Sequence, residues 1–313
     1  MPSSRALALV AGLVALTAPA AAAAQQAAQG FALERLTPAP PGAGWFMLDN
    51  LDMRGPLGGA LAVTGSFAAE PLRVGADGQR LSVVSREAFV EFAAAASYGR
   101  WRAWLALDAP LVLAGDDGSA GGYAYTAPHV NLGNRPDVLF DPRLGVEARL
   151  IGDASAPFRF GLSAELIVPN GSRADDVSDG TFRGIARALA AGQRGWLEYA
   201  ADLGTHLRWR DQPAPGGPRG SELLFGIAAG ARIDPARAPT LHVVVGPEVF
   251  GETAWRSAFA WDTTGLEAML TGRIQWTTPA RRVGAKLGAG GGIDPNFGAP
   301  AWRVALSLDV EGP

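Results

Sequence analysis

The chain has 313 residues, 41 of them glycine, no cysteine and a formal net charge of −3. Without cysteine there is no disulfide framework and no thiolate or zinc–cysteine chemistry, and without a basic stretch there is no nucleic-acid footprint. Glycine above the usual share of about 7% would suit a low-complexity chain, but Trp, Phe, Leu and Val recur at regular spacing, which argues against disorder.

The first residues read as an address. Arg5 is followed by an apolar run, Ala6 to Leu16, and an A-x-A-like site ends before Gln25. This is the pattern of a secretory signal peptide, residues 1–24, cleaved after Ala24. The run is too short for a membrane anchor, which needs about 20 apolar residues. Residues 25–56 are expected to form a periplasmic segment ahead of the folded domain, residues 57–311.

Within that domain a period of two replaces any helical period. One apolar face after another appears in chain order: Leu61-Val63-Gly65-Phe67, Ala88-Val90-Phe92-Ala94, Trp101-Ala103-Leu105-Leu107, Leu144-Val146-Ala148-Leu150 and Phe160-Leu162-Ala164-Leu166. Residues 182–190 are less regular, because Arg183 and Arg187 share a face with Ile185 and Leu189. Then come Leu197 to Leu207, Leu223 to Ala229, Leu241 to Val249, Leu266 to Ile274, Val283 to Ala289 and Trp302 to Leu308. Phe89 and Trp104 fall on the wrong parity. The pattern predicts about twelve strands, each with two different solvents, an even number as in single-chain bacterial barrels.

The connections alternate in length. Tyr98 to Arg100, Gly152 to Pro157, Ala191 to Gly195, Asp234 to Pro239 and Thr277 to Ala280 are short. Val112 to Asp141, Pro169 to Gly180, Arg210 to Gly220, Gly251 to Asp262 and Asp294 to Pro300 are longer and polar. Asp77-Gly78 is the exception, a tight tip between two long strands. Aromatic residues follow the same division. Tyr98, Trp101, Trp196 and Trp276 lie beside short turns, and Trp209, Trp255, Trp261 and Trp302 beside long loops. Two aromatic rings at opposite strand ends suit two membrane–water interfaces. A soluble sandwich also has two-faced strands. Long strands, alternating loops and a polar face rich in Gly and Ala favour instead a closed antiparallel transmembrane β-barrel, the sheet whose backbone groups can all be paired in lipid.

Several stretches carry a family resemblance: FALERLTPAPPGAGWFMLDNLDMRG, PRLGVEARL, IVPNGSR, GPEVFGET, GLEAMLTGRIQW and FGAPAWRVALSL. From Phe31 to Asp309 the chain resembles the barrel domain of OmpA-family outer-membrane proteins of the myxobacterial kind. The resemblance implies the Gram-negative cell envelope, with outer-membrane lipid, lipopolysaccharide and the barrel-assembly machinery as partners. In that family calcium-binding thrombospondin type 3 repeats and a peptidoglycan-binding domain typically follow. The sequence stops at Glu311-Gly312-Pro313, where such a linker would begin, so the cell-wall tether is not carried over. The last strand also lacks the terminal aromatic residue on which barrel proteins commonly finish.

Enzyme chemistry lacks its parts. The histidines are His129, His206 and His242, and no nucleophile elbow or H-E-x-x-H accompanies them. The acids of PNGSRADDVSDG, Asp175, Asp176 and Asp179, do not match an EF-hand and read as a solvated loop. Asp116-Asp117 reads the same way, and Gly288 to Gly292 is no phosphate loop. No catalytic, cofactor or metal site is expected.

What remains is the polar face, the expected lumen lining. It carries Glu87, Glu91, Asp108, Glu147, Glu165, Glu198, Asp202, Glu222, Glu248 and Glu267. Against them stand Arg102, Arg143, Arg149, Arg159, Arg208, Arg232, Arg273, Arg282, Lys286 and Arg303, with His206 and His242. Two readings stay open: a porin-like passage for small polar solutes, or a non-conducting structural barrel whose charges pair across the bore. Twelve strands lie between the packed eight-stranded barrel and the open sixteen-stranded porin. The loop from Val112 to Asp141 could fold inward as a constriction or lie outside.

Overall fold

The structure, a computed structural model, describes residues 26–33, 35–76, 79–209, 220–294 and 298–312. The expected signal peptide, the Asp77-Gly78 tip and nearly all of the Arg210 to Gly220 loop lie outside the described residues.

The wall has twelve strands: β1 Gly58–Ala76, β2 Gln79–Tyr98, β3 Trp101–Ala114, β4 Arg143–Ile151, β5 Arg159–Ile167, β6 Arg183–Arg194, β7 Leu197–Arg208, β8 Glu222–Ile233, β9 Leu241–Ala254, β10 Thr264–Thr277, β11 Arg282–Asp294 and β12 Trp302–Gly312. Each is antiparallel to its neighbours, and β12 pairs back onto β1 with Leu306 opposite Gly65, so the sheet closes. Closure removes both sheet edges, which is what makes a sheet tolerable in lipid.

Burial is inverted relative to a soluble protein. Leu61, Leu105, Leu144, Leu162, Leu203, Ile227, Leu270, Leu287 and Leu306 are exposed on the outer face. Glu91, Arg102, Glu147, Glu248, Arg273 and Arg303 are buried on the inner one. Leaving a leucine in water rather than burying it costs roughly 1.5–3 kcal/mol, so a continuous outer band of such residues requires a hydrocarbon surround.

Departures from parity have local causes. A register shift between Ala88 and Phe89 turns Phe89 inward, where its ring meets Phe140 edge-on at 6.2 Å. Trp104 also points inward, and its ring lies so close to Gly145 that a Cβ there would sit 2.1 Å from it. On β6 the inward residues are Arg183, Ile185, Arg187 and Leu189, leaving small residues outside. The turn expected over Ala191 to Gly195 is shorter, since β6 runs to Arg194. Gly195 and, in the β2–β3 turn, Gly99 supply the φ of +62° and +60° that these reversals need.

The long connection after β3 folds partly inward. Its short strand His129–Asn131 extends the wall beside β3, while Val130, Val138 and Phe140 are buried with Phe31, Leu33 and Leu36.

The segment expected in the periplasm is instead inside the barrel. Leu33, Leu36, Trp45, Phe46, Leu48 and Leu51 are essentially inaccessible. Their side chains are too apolar for a solvated tether, and their irregular, proline-rich backbone needs donors and acceptors that the charged bore supplies.

Candidate functional site

The segment crosses the bore from rim to rim. At the long-loop rim Gln26–Ala27 pair in parallel with Tyr123–Ala124. The N–H groups of Phe31 and Ala32 donate to Asp176 Oδ1 (3.1 Å) and Asp179 Oδ1 (2.9 Å) of the β5–β6 loop. Lower down, the chain turns at Pro40–Gly42 and doubles back, so that Ala39 N–H bonds the Phe46 carbonyl at 2.7 Å. It then descends to the short-turn rim, where Asp52 meets Arg282 at 3.3 Å.

The wall holds this plug by its backbone. Glu248 accepts the N–H groups of Phe46 and Met47 at 2.9–3.1 Å, and Thr271 Oγ1 donates to the same carboxylate at 2.6 Å. Lys286 Nζ donates to the carbonyls of Ala43 and Trp45, both at 3.1 Å. Arg149 does the same for Leu51 and Met53 at 2.9 Å, and Arg102 for Pro41 at 3.1 Å. Buried polar backbone without partners would cost roughly 1–3 kcal/mol per group; here the lumen charges provide them.

Shape is matched as well. The lumen face is rich in glycine where the plug is bulky. A Cβ on Gly230 would lie 2.7 Å from the Trp45 ring, one on Gly161 2.9 Å from Leu51, and one on Gly288 2.8 Å from Phe46. Trp45 and Leu48 pack on Ala191, Ala200, Ala228 and Val244.

The remaining lumen charges pair with one another across strands. Arg143, from the PRLGVEARL stretch, reaches Glu91, Asp108 (3.5 Å) and Glu165 (3.5 Å). Arg102 bridges Glu147 at 2.8 Å and Asp49 of the plug at 3.0 Å. Arg187 joins Glu165 to Asp202, Arg273 meets Glu198 at 2.8 Å, and Arg303 meets Glu267 at 3.0 Å. Arg208 contacts Asp179 at 2.8 Å and Glu222 at 3.3 Å, and His206 Nδ1 lies 3.2 Å from Glu222. Glu87 is buried on the same face, and Arg159 donates to the Ala154 carbonyl near the short-turn rim. Arg232 and His242 differ: they cluster with Asp234 at the short-turn rim, partly exposed. Burial works to raise the Asp234 pKa, and hydrogen bonds from His242 and Arg232 overcome it, holding the carboxyl below its usual range.

Among residues not singled out from the sequence, Arg35, Asp49, Asp52, Asp141 and Glu252 join this network. For Arg35, Asp49 and Asp52 the signal was the irregular, acid-dotted N-terminal stretch itself; Asp141 stands just before β4 and Glu252 lies on β9. The β5–β6 loop acids are not solvated ligands. Asp176 and Asp179 hold the plug, Asp175 pairs with Arg135 at 3.0 Å, and Asp141 accepts from Ser178, Arg183 and two backbone N–H groups. For Asp179 burial favours the neutral acid, but Arg208, Arg183 and the Ala32 N–H outweigh it and hold the pKa below the carboxylate range.

Tyr98, Trp101, Trp196 and Trp276 are exposed at one end of the wall, and Trp209, Trp255, Trp261 and Trp302 at the other. Trp302 stacks beside Phe67 at 5.1 Å, and Trp255 donates to Thr205 at 3.1 Å.

Free space beside the plug is small. One cavity of about 80 Å³ lies among Arg35, Met47, Phe140, Ile185, His206 and Glu252. A vestibule of about 290 Å³ opens at the short-turn rim among Asp52, Arg54, Arg102, Arg282 and Glu311.

No protein-family profile and no curated protein matches the sequence. Solved structures do match in fold. An outer-membrane channel from Pseudomonas putida F1 superposes with a TM-score of 0.53 at 12% identity, over 88% of this chain and 99% of that one. The NanC porin (TM-score 0.46, 9% identity, 81% and 99%) and the translocator domain of the autotransporter NalP from Neisseria meningitidis (0.45, 12%, 85% and 91%) are also similar. The chain is a closed twelve-stranded barrel of the outer-membrane type.

Proposed function

We propose that this protein is a gated outer-membrane channel whose own N-terminal segment is the gate, and that withdrawing the segment opens a mixed-charge passage for small polar solutes. The observation that carries this reading is that the plug is no part of the wall. All twelve strands pair and close without it, and beyond its chain connection to β1 it is held by hydrogen bonds, ion pairs and packing. A twelve-stranded bore is wider than the eight-stranded one that wall side chains fill, so its closure falls to the inserted segment. On this reading the short-turn rim faces the periplasm and the long loops face outward, as in other outer-membrane barrels. Lipid and lipopolysaccharide surround the wall, and the barrel-assembly machinery inserts it. The OmpA-family kinship suggested by the sequence is part of the same proposal.

Single-channel recording in planar bilayers tests it. The refolded chain from Gln25 should be silent or flicker, and the same chain lacking residues 25–53 should give stable, salt-dependent steps. Silence from a folded, heat-modifiable barrel without the plug would favour the structural alternative, in which ion pairs such as Arg143 with Glu91, Asp108 and Glu165 close the bore themselves.

A further inference from the structure

One contact of the plug stands apart from the rest. His206 of β7, Glu222 of β8 and Glu252 of β9 place one ligand atom each within 4.8 Å of one another. The guanidinium of Arg35 sits on this group, Nη1 lying 3.0 Å from Glu222 and 2.5 Å from Glu252. The cluster is thus already seen holding a cation, tethered to the plug. His206 adds a second, independent mark. It is 5% exposed, and its Nδ1 lies 3.2 Å from Glu222 Oε2 while its Nε2 is buried without a hydrogen-bond partner. Glu222 Oε2, which faces that Nδ1, is likewise buried without a hydrogen-bond partner, so Nδ1 is the imidazole nitrogen that lies with the carboxylates and would be the ligand. His206, Glu252 and Arg35 all border the 80 Å³ cavity, which leaves room beside the carboxylates.

We propose that His206, Glu222 and Glu252 form a divalent-metal site of the zinc class, which Arg35 fills in the plugged state. One histidine and two carboxylates are a zinc-type donor set with a position left for water. Two buried carboxylates this close cannot be left bare, because like charges in a poorly solvated site repel. If Arg35 leaves, the pair must take up a proton or another cation. Metal and Arg35 cannot share the site, since both need the same carboxylate oxygens and repel each other. Arg208, which also contacts Glu222, keeps its own partner in Asp179 at 2.8 Å and can remain. Metal binding therefore opposes the plug, and by linkage removing Arg35 must tighten metal binding by the same factor.

The proposal's second half rests on the gating reading, so the test has two arms. In the first, Zn²⁺ is titrated calorimetrically into the refolded chain from Gln25 in detergent, as wild type, Arg35→Ala and Arg35→Ala/His206→Ala. Folding is checked by heat-modifiable migration. Arg35→Ala should bind one Zn²⁺ about tenfold or more tightly than wild type. Adding His206→Ala should remove about ten- to hundredfold of that affinity. Equal affinity in wild type and Arg35→Ala, or no loss with His206→Ala, overturns the site. If Arg35→Ala does not fold, Arg35→Gln, which keeps the stem and removes the charge, replaces it and should tighten Zn²⁺ binding in the same direction. In the second arm Zn²⁺ is added to wild-type barrels in a bilayer, and conductance should rise. Competitive binding without any conductance leaves the metal site standing and overturns the gating reading.

Discussion

Gly288 on the wall and Phe46 on the plug touch so closely that a Cβ on the glycine would lie 2.8 Å from the ring and 2.4 Å from the Met269 methyl. A side chain there competes directly with the seated plug. Gly288→Val should cost about 1–3 kcal/mol of plug seating by overpacking, while the wall, whose strand pairing at this position needs only backbone, still closes. Limited proteolysis should cut residues 31–53 in the variant and spare them in wild type. Equal protection would show that the plug is not seated by this contact.

Removing Phe46 probes the same joint from the other side. Phe46→Ala loses a fully buried ring, a change worth about 3–5 kcal/mol in a core that cannot collapse. The expected result is a folded barrel with frequent brief openings in bilayer recordings. Unaltered silence together with unaltered thermal stability would contradict it.

Arg143 balances Glu91, Asp108 and Glu165. Arg143→Met strands three acids, and breaking a buried pair from one side costs about 3–5 kcal/mol. The denaturant midpoint for loss of the heat-modifiable form should fall accordingly. Adding Glu91→Gln and Asp108→Asn should recover much of the loss. A triple variant as weak as Arg143→Met alone would argue that the arginine acts by packing on the Trp104 ring, 5.6 Å away, rather than by charge.

The long-loop anchor of the plug should depend on pH through Asp179, which faces Arg208, Arg183, His206 and the Ala32 N–H. Its folded pKa is depressed, so the stabilisation is complete above the unfolded value near 4 and is lost as pH falls through the folded one. Amide exchange at Ala32 should stay slow at pH 5 and lose its protection only below about pH 4. Asp179→Asn should flatten that dependence; an unchanged profile would assign it to another group.

Leu287 and Lys286 are neighbours with opposite fates. Lys286 is buried against plug carbonyls, and Leu287 faces outward. Leu287→Arg should destabilise the barrel in bilayers by about 2–4 kcal/mol and leave plug protection unchanged. A neutral effect would show that this face does not meet hydrocarbon.

The wall was legible in the sequence because a two-sided strand repeats its signal every second residue, and eleven of its twelve staves did so cleanly enough to be read directly. The parity of Phe89 and Trp104 was not, since a bulge and a glycine opposite the indole are properties of pairing, not of one strand. The plug was hidden for a different reason. Irregular backbone has no period, and FALERLTPAPPGAGWFMLDNLDMRG shows only that it is apolar and turn-rich. Its trace lay in the wall, where Gly161, Gly230 and Gly288 left space that a bore of charged residues alone does not explain. Most of the charges expected in the lumen are buried inside the wall, but their partners come from other strands and from backbone, which a linear chain does not reveal. Arg232 and His242 showed the limit of parity: it gives the side of a strand and not the depth along it.

The path of the plug also bears on how the molecule is made and reused. Its amino end pairs at one rim through Gln26–Ala27, and its carboxyl end joins β1 at the other. A strap laid across the bore in this way cannot be slipped in sideways once the β1–β12 seam has closed. It is either enclosed as the sheet curls round it or threaded end-first afterwards. Complete expulsion would therefore be easy to suffer and slow to undo, whereas swinging the Phe31–Arg35 end outward leaves Trp45 to Leu51 seated as a guide for its return. On the proposed gating, a working cycle built on this strap would be a short pivot about a retained root.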